Sequence, residues 1–121
     1  MVYRETEHTR AKKSQTRERL LKAARDLVAE SGFAAATAVA VASRSGVAAG
    51  SIYRHFPNKS ELVAEVFRYA TEHEVANVLT ASAPLSDDEA CAKRLSRAVT
   101  VFARRALQGP KLAYALIAEP V

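Results

Sequence analysis

The sequence predicts an all-α protein. Apolar residues recur at helical spacing in one segment after another, each segment is bounded by glycine, proline or a capping residue, and no stretch alternates with a period of two. There is no internal repeat. A chain of 121 residues, 49% hydrophobic and 26% charged, suits one ordinary globular domain with a packed core.

The first helix is expected over residues 14–31, where Leu20, Ala24, Leu27 and Val28 fall on one face with Leu21 beside them. Gly32 sits where a left-handed residue is wanted, and Phe33 packing back on Val28 would complete a Schellman-type stop. The second helix is expected over residues 37–45, with the Thr37 hydroxyl capping a free backbone N–H. Gly46 can take the positive φ that closes a helix-to-helix turn, and Pro57 cannot continue a helix, so a short third helix lies between them. Within it Ile52 and Phe56 lie four apart and point inward with Val47. The outer face is small, polar and cationic: Ala48, Ala49, Gly50, Ser51, Arg54 and His55, with Tyr53 on the flank.

Asn58 with Glu61 three residues later forms a capping-box pattern for a long fourth helix burying Leu62, Val63, Val66, Phe67 and Ala70. Its middle, residues 71–74, is polar, and Val75, Val78 and Leu79 resume the apolar pattern before the break at Pro84. Ser86 and Glu89 repeat the box for a fifth helix, whose Leu95, Ala98, Val99, Phe102 and Ala106 form one stripe. Gly109 and Pro110 end it, and a sixth piece, K-L-A-Y-A-L-I-A, runs to Glu119.

The net charge of +5 is uneven: residues 1–60 hold 11 Lys/Arg against 5 Asp/Glu, and residues 61–121 hold 7 against 8. Attraction to phosphate requires such an excess, although a basic solvated face is its commoner meaning. The segment from Met1 to Lys13 is basic and lacks apolar periodicity, so it is expected to be a flexible arm that follows a minor groove or backbone. Nothing in the sequence looks like a membrane span or a signal peptide, which points to the cytoplasm. The one cysteine, Cys91, supports neither a disulfide framework nor a zinc cluster.

Catalysis is not expected. His8, His55 and His73 fall on three different elements, and neither an H-x-x-x-H pair nor a glycine-rich phosphate loop occurs, so no metal or cofactor is expected. Asp87, Asp88 and Glu89 are explained by the dipole at a helix start rather than by acid–base chemistry.

The run V-A-A-G-S-I-Y-R-H-F-P-N-K-S-E-L of residues 47–62, with R-E-R-L-L-K-A-A-R-D-L-V-A-E-S-G-F of residues 17–33 upstream, resembles the DNA-binding head of the TetR (tetracycline repressor) family of bacterial transcription regulators. The resemblance implies a basic arm over residues 1–13, a helix-turn-helix head over 14–59 and part of an effector-binding and dimerisation body over 60–121. It implies phosphate contacts from Thr37, Tyr53, His55 and Lys59, with Ala48 opening a third helix whose Ala49, Gly50, Ser51 and Arg54 face base edges. Arg44 would meet either phosphate or water.

Spacing alone makes Phe67, Leu95, Val99, Phe102 and Tyr114 ordinary core; the resemblance is what assigns them to a small-molecule effector pocket. The chain departs from the family pattern at Ala36, Val39 and Ala40, where polar residues are usual, and at Ala48, where the family often has a capping serine worth about 0.5–2 kcal/mol. The chain is also short for the family. The resemblance therefore implies a regulator, a repressor on a palindromic operator, whose homodimer is expected to be weak because the usual pairing helices are missing. In that case Leu95, Val99 and Phe102, with Leu112, Leu116 and Ile117, would lack a covering. The alternative is a helical interaction protein that pairs with a full-length relative and does not itself bind DNA.

Overall fold

A computed structural model describes residues 6–119 of the chain. Among these residues six α-helices follow one another: α1 (Glu7–Ser31), α2 (Ala38–Ser45), α3 (Ala49–His55), α4 (Lys59–Ser82), α5 (Cys91–Gln108) and α6 (Pro110–Ile117). A single 3-10 turn, Phe33–Ala35, joins α1 to α2, and no strand occurs among the described residues.

α1 begins a full two turns before the apolar pattern does. Thr6 caps it by accepting a hydrogen bond from the Thr9 amide at 3.1 Å, and Glu7 stands in the first turn, where a negative charge suits the dipole. Residues 7–13 of the expected arm are therefore helical, and Met1–Glu5 lie outside the described residues. Apolar periodicity does not reveal this extension, because a solvated run of Ala, Lys and Arg needs a cap and good propensity, not an apolar face.

One core runs through the molecule. Leu20, Ala24 and Val28 of α1 meet Val41, Ile52 and Phe56 of the next two helices. The first half of α4, through Leu62, Val66 and Ala70, and Leu112 and Ala115 of α6 close the same cluster. Leu112 is buried and Leu116 half-buried, so the sixth helix is better covered than expected. Phe67, expected inside α4's buried face, is 39% exposed and lies beside Phe33 with the rings tilted and their centroids 6.3 Å apart.

Gly32 does take a positive φ, +84°, but its ψ of 175° is extended, so the expected Schellman stop does not form. Its amide bonds to the Val28 carbonyl at 2.8 Å, while the Phe33 amide donates to the Glu119 carboxylate at 3.1 Å, beyond the end of α6. A side chain 86 residues away thus supplies the acceptor that a local turn would have supplied.

α5 starts at Cys91, not at Ser86. Glu89 reaches back to the Leu85 amide at 2.8 Å, as in a capping box, but it also binds the Arg97 guanidinium, so residues 85–90 close as a turn and the helix begins after it. The guanidinium groups of α5 then dock it on the open carboxyl end of α4: Arg94 donates to the Ser82 carbonyl at 2.8 Å, and Arg97 to those of Ala81 at 3.0 Å and Ala83 at 2.8 Å. Those are the carbonyls that a helix end leaves without partners. Part of the apolar stripe, at Leu95 and Val99, consequently faces solvent. Leu95, Val99 and Phe102 are all more than half exposed, and only Ala98 of the expected stripe is buried.

Arg97 and the Leu85 amide hold the Glu89 carboxyl at about 2. A depressed carboxyl stabilises the fold fully above the ordinary value of 4.5, and that contribution is lost as the pH falls from there towards about 2. Glu89→Gln should therefore flatten the dependence of stability on pH across that window, read as urea midpoints from about pH 6 down to about 2. A wild-type midpoint that does not move more steeply than the variant's would contradict the pairing.

Candidate nucleic-acid interface

The turn between α2 and α3 rests on Gly46, whose φ of 73° and ψ of 17° are left-handed. The amides of Gly46 and Val47 converge on the Ala42 carbonyl at 3.0 and 3.2 Å, the local closure that Gly32 lacks. Two arginines of α1 hold the pair of helices in place. Arg19 donates to the Ser45 carbonyl at 2.6 Å, at the end of α2. Arg17 donates to the His55 carbonyl at 3.2 Å, at the end of α3, pairs with Glu65 of α4 at 3.0 Å and lies 4.6 Å from the centre of the Phe56 ring. Neither arginine stands out in the sequence, because a guanidinium on a helix surface gives no periodic signal.

α3 is pinned from beneath by Ile52 and Phe56, each 1% exposed. Its outer face carries Ala48, Ala49, Gly50, Tyr53 and Arg54 to solvent, while Ser51 and His55 are half-buried rather than fully outward. Ala48 offers no side-chain cap, as its identity predicts. A Cβ added to Gly50 would meet nothing within 4 Å, so packing does not call for glycine there, although glycine costs a helix about 0.5–1 kcal/mol against alanine. What the missing side chain does is lower the helix surface, so that another molecule can approach the backbone closely.

The flanks supply donors. Thr37 accepts from the Ala40 amide at 3.1 Å, capping α2 as expected, and its hydroxyl proton stays available at an exposed position. Lys59 is exposed at the first position of α4, behind the Asn58 cap, whose side chain accepts from the Glu61 amide at 2.9 Å. Partial burial, reinforced by Arg17 and Lys13, lowers the pKa of His55 below its ordinary 6.5, so the ring is neutral at about pH 7 and a nearby phosphate would favour its protonation. Arg44 is already engaged: its guanidinium makes a two-pronged ion pair with Glu30 of α1, one arm at 2.6 Å. The pair brackets α2 to α1.

The five residues assigned to an effector pocket separate. Phe67 and Phe102 line a cavity of about 540 Å³ between α4, α5 and α6, with Arg25 of α1 at its wall. Leu95, Val99 and Tyr114 do not line it, because the arginine docking of α5 turns Leu95 and Val99 outward and Tyr114 is 60% exposed on α6.

A family model described as bacterial regulatory proteins, tetR family, matches residues 20–66, from the middle of α1 into α4. Uncharacterized HTH-type transcriptional regulators of Mycobacterium bovis and Mycobacterium tuberculosis are 36% identical to this chain over 64 residues, which is 53% of this chain and 30% of theirs. The crystal structure of a transcriptional regulator from Rhodococcus superposes with a TM-score of 0.50 at 31% identity, covering 79% of this chain and 58% of that one. The match to the mycobacterial proteins thus spans less than a third of their length, and the match to the Rhodococcus protein a little over half of it.

Proposed function

Because this chain belongs, through its head, to the TetR family of bacterial regulators, we propose that it binds double-stranded DNA and regulates transcription, as a repressor that occupies a palindromic operator. The observation that carries this reading is the outer face of α3, where Gly50 has no packing reason to be glycine and Tyr53 and Arg54 stand exposed on a helix clamped from behind. In the proposed complex α3 lies in the major groove, with Ser51 and Arg54 against base edges and Thr37, Tyr53, His55 and Lys59 on phosphate.

The proposed organisation is a head over residues 14–59 and an effector-binding and dimerisation body over 60–121. Two heads would meet half-sites about 34 Å apart. Pairing of two such copies is weak in this reading, the exposed stripe of α5 is open to other apolar contacts, and the protein would work in the cytoplasm.

Genomic DNA recovered with the protein identifies the operator, and titration of that operator beside random DNA across a salt series then tests the reading. Lys59→Ala should weaken both DNAs alike and make the slope of log affinity against log salt shallower by about 0.9, the counterion release of one phosphate. Recovery of no enriched sequence, with equal binding of operator-sized random fragments, would favour an interaction protein that leaves DNA to a partner.

A further inference from the structure

His55 closes α3 within a cluster of positive charge. Its ring is half-buried and tilted against that of Phe56, with the centroids 6.2 Å apart. α1 brings two cations to this end of the helix: Arg17, which donates to the His55 carbonyl at 3.2 Å, and Lys13, one turn earlier on the same face of α1. Arg54 precedes the ring on α3, and Lys59 opens α4 just beyond it. Glu65 of α4, the carboxylate that meets this cluster, is already committed: it accepts from Arg17 at 3.0 Å and pairs with Arg68 at 3.3 Å.

A charged imidazole at a helix end is ordinarily stabilised by the open carbonyls there and by an acidic neighbour. Here Arg17 holds the His55 carbonyl and Glu65 is turned to arginines. The charges acting on the ring come from α1, where Lys13 and Arg17 join burial in opposing its protonation, and no carboxylate among the described residues offsets them. α2 adds no charge to this balance, and α4 enters it only through the pair of Glu65 with Arg17. What this end of α3 lacks is an anion, and a DNA phosphate is one.

We propose that the head takes up a proton when it binds DNA, His55 entering the complex as an imidazolium that donates to a backbone phosphate at the cationic end of α3. The proton comes from solvent and goes to the ring nitrogen that carries the lone pair, so the ring gains one positive charge and the phosphate keeps its negative one. The charge-assisted bond is roughly twice as strong as one from a neutral ring, and the same phosphate offsets the repulsion from Lys13 and Arg17. The inference rests on the reading of α3 as the DNA-binding helix and adds pH control to it. Because the phosphate raises the pKa of the ring in the complex above that in the free head, affinity is greatest below the free value, itself under 6.5, and declines as the pH rises from there to the bound value.

Calorimetric titration of the full chain with duplex DNA, in buffers of different ionisation enthalpy, counts the protons taken up. The probes are the operator recovered from genomic DNA and a random-sequence duplex, since a phosphate contact carries no sequence information. Uptake approaching about one proton per head is expected on both near pH 7, and the slope of log affinity against log salt should be steeper by about 0.9 at about pH 5.5 than at about pH 8.5. His55→Gln keeps an N–H donor but cannot titrate, so it should lose both the uptake and the change in salt slope. His8→Gln, on the exposed start of α1, should retain both. If His55→Gln does not fold, the buffer series on the unaltered chain and on His8→Gln decides the matter. Binding without proton uptake, or uptake that survives His55→Gln or disappears with His8→Gln, overturns the inference and leaves the DNA reading standing. No binding to either duplex at any pH overturns that reading and the inference with it.

Discussion

Phe56→Ala is expected to cost about 3–5 kcal/mol of stability, a large share of what a domain of this size has, and to abolish DNA binding with it. Phe56 is among the largest fully buried side chains and closes the underside of α3 against α1 and α4. Its ring also seats the Arg17 guanidinium, which in turn holds the His55 carbonyl and Glu65, so removing the ring opens a cavity and loosens the clamp together. Ile52→Val at the adjacent buried position should cost only about 0.5–1.5 kcal/mol and leave DNA binding intact. Urea unfolding followed by circular dichroism separates the two. A Phe56→Ala stability within about 1 kcal/mol of wild type would mean that α3 is held by something other than this core.

Arg54→Ala should weaken binding to the operator by about 1–3 kcal/mol, roughly five- to 150-fold, while lowering binding to random DNA only by the loss of one charge. Arg54 is exposed on the outer face of α3 and makes no hydrogen bond or ion pair among the described residues, so the side chain is available to a guanine edge. Arg44 provides the control. Its guanidinium is committed to Glu30, and Arg44→Ala should act mainly on the seating of α2 rather than on base discrimination. Equal losses for Arg54→Ala on operator and random DNA would remove it from base reading and leave it a phosphate contact.

Much of the fold and of the candidate interface is legible residue by residue. Helical spacing with Gly46, Pro57 and the Asn58 cap is enough to place α2, α3 and the start of α4, because turn closure and capping are local chemistry between residues a few positions apart. The outer face of α3 comes from the same count, since burying Ile52 and Phe56 dictates which side chains remain outside.

Other features depend on groups far apart in the chain, and no local pattern encodes them. Which carbonyl a guanidinium meets depends on where another helix ends, so the grip of Arg17 and Arg19 on α3 and α2, and the commitment of Arg44 to Glu30, appear only once α1 lies across both. Glu119 reaching the Phe33 amide replaces the local stop expected at Gly32. α5 shows the widest gap between pattern and packing. Its apolar stripe reads as core, yet the unpaired carbonyls closing α4 draw Arg94 and Arg97 to the contact and turn Leu95 and Val99 to solvent. Amphipathic spacing determined by itself that α5 is a helix with two faces; which face meets α4 was decided in three dimensions, because charge-assisted hydrogen bonds to open carbonyls are directional and apolar contact is not.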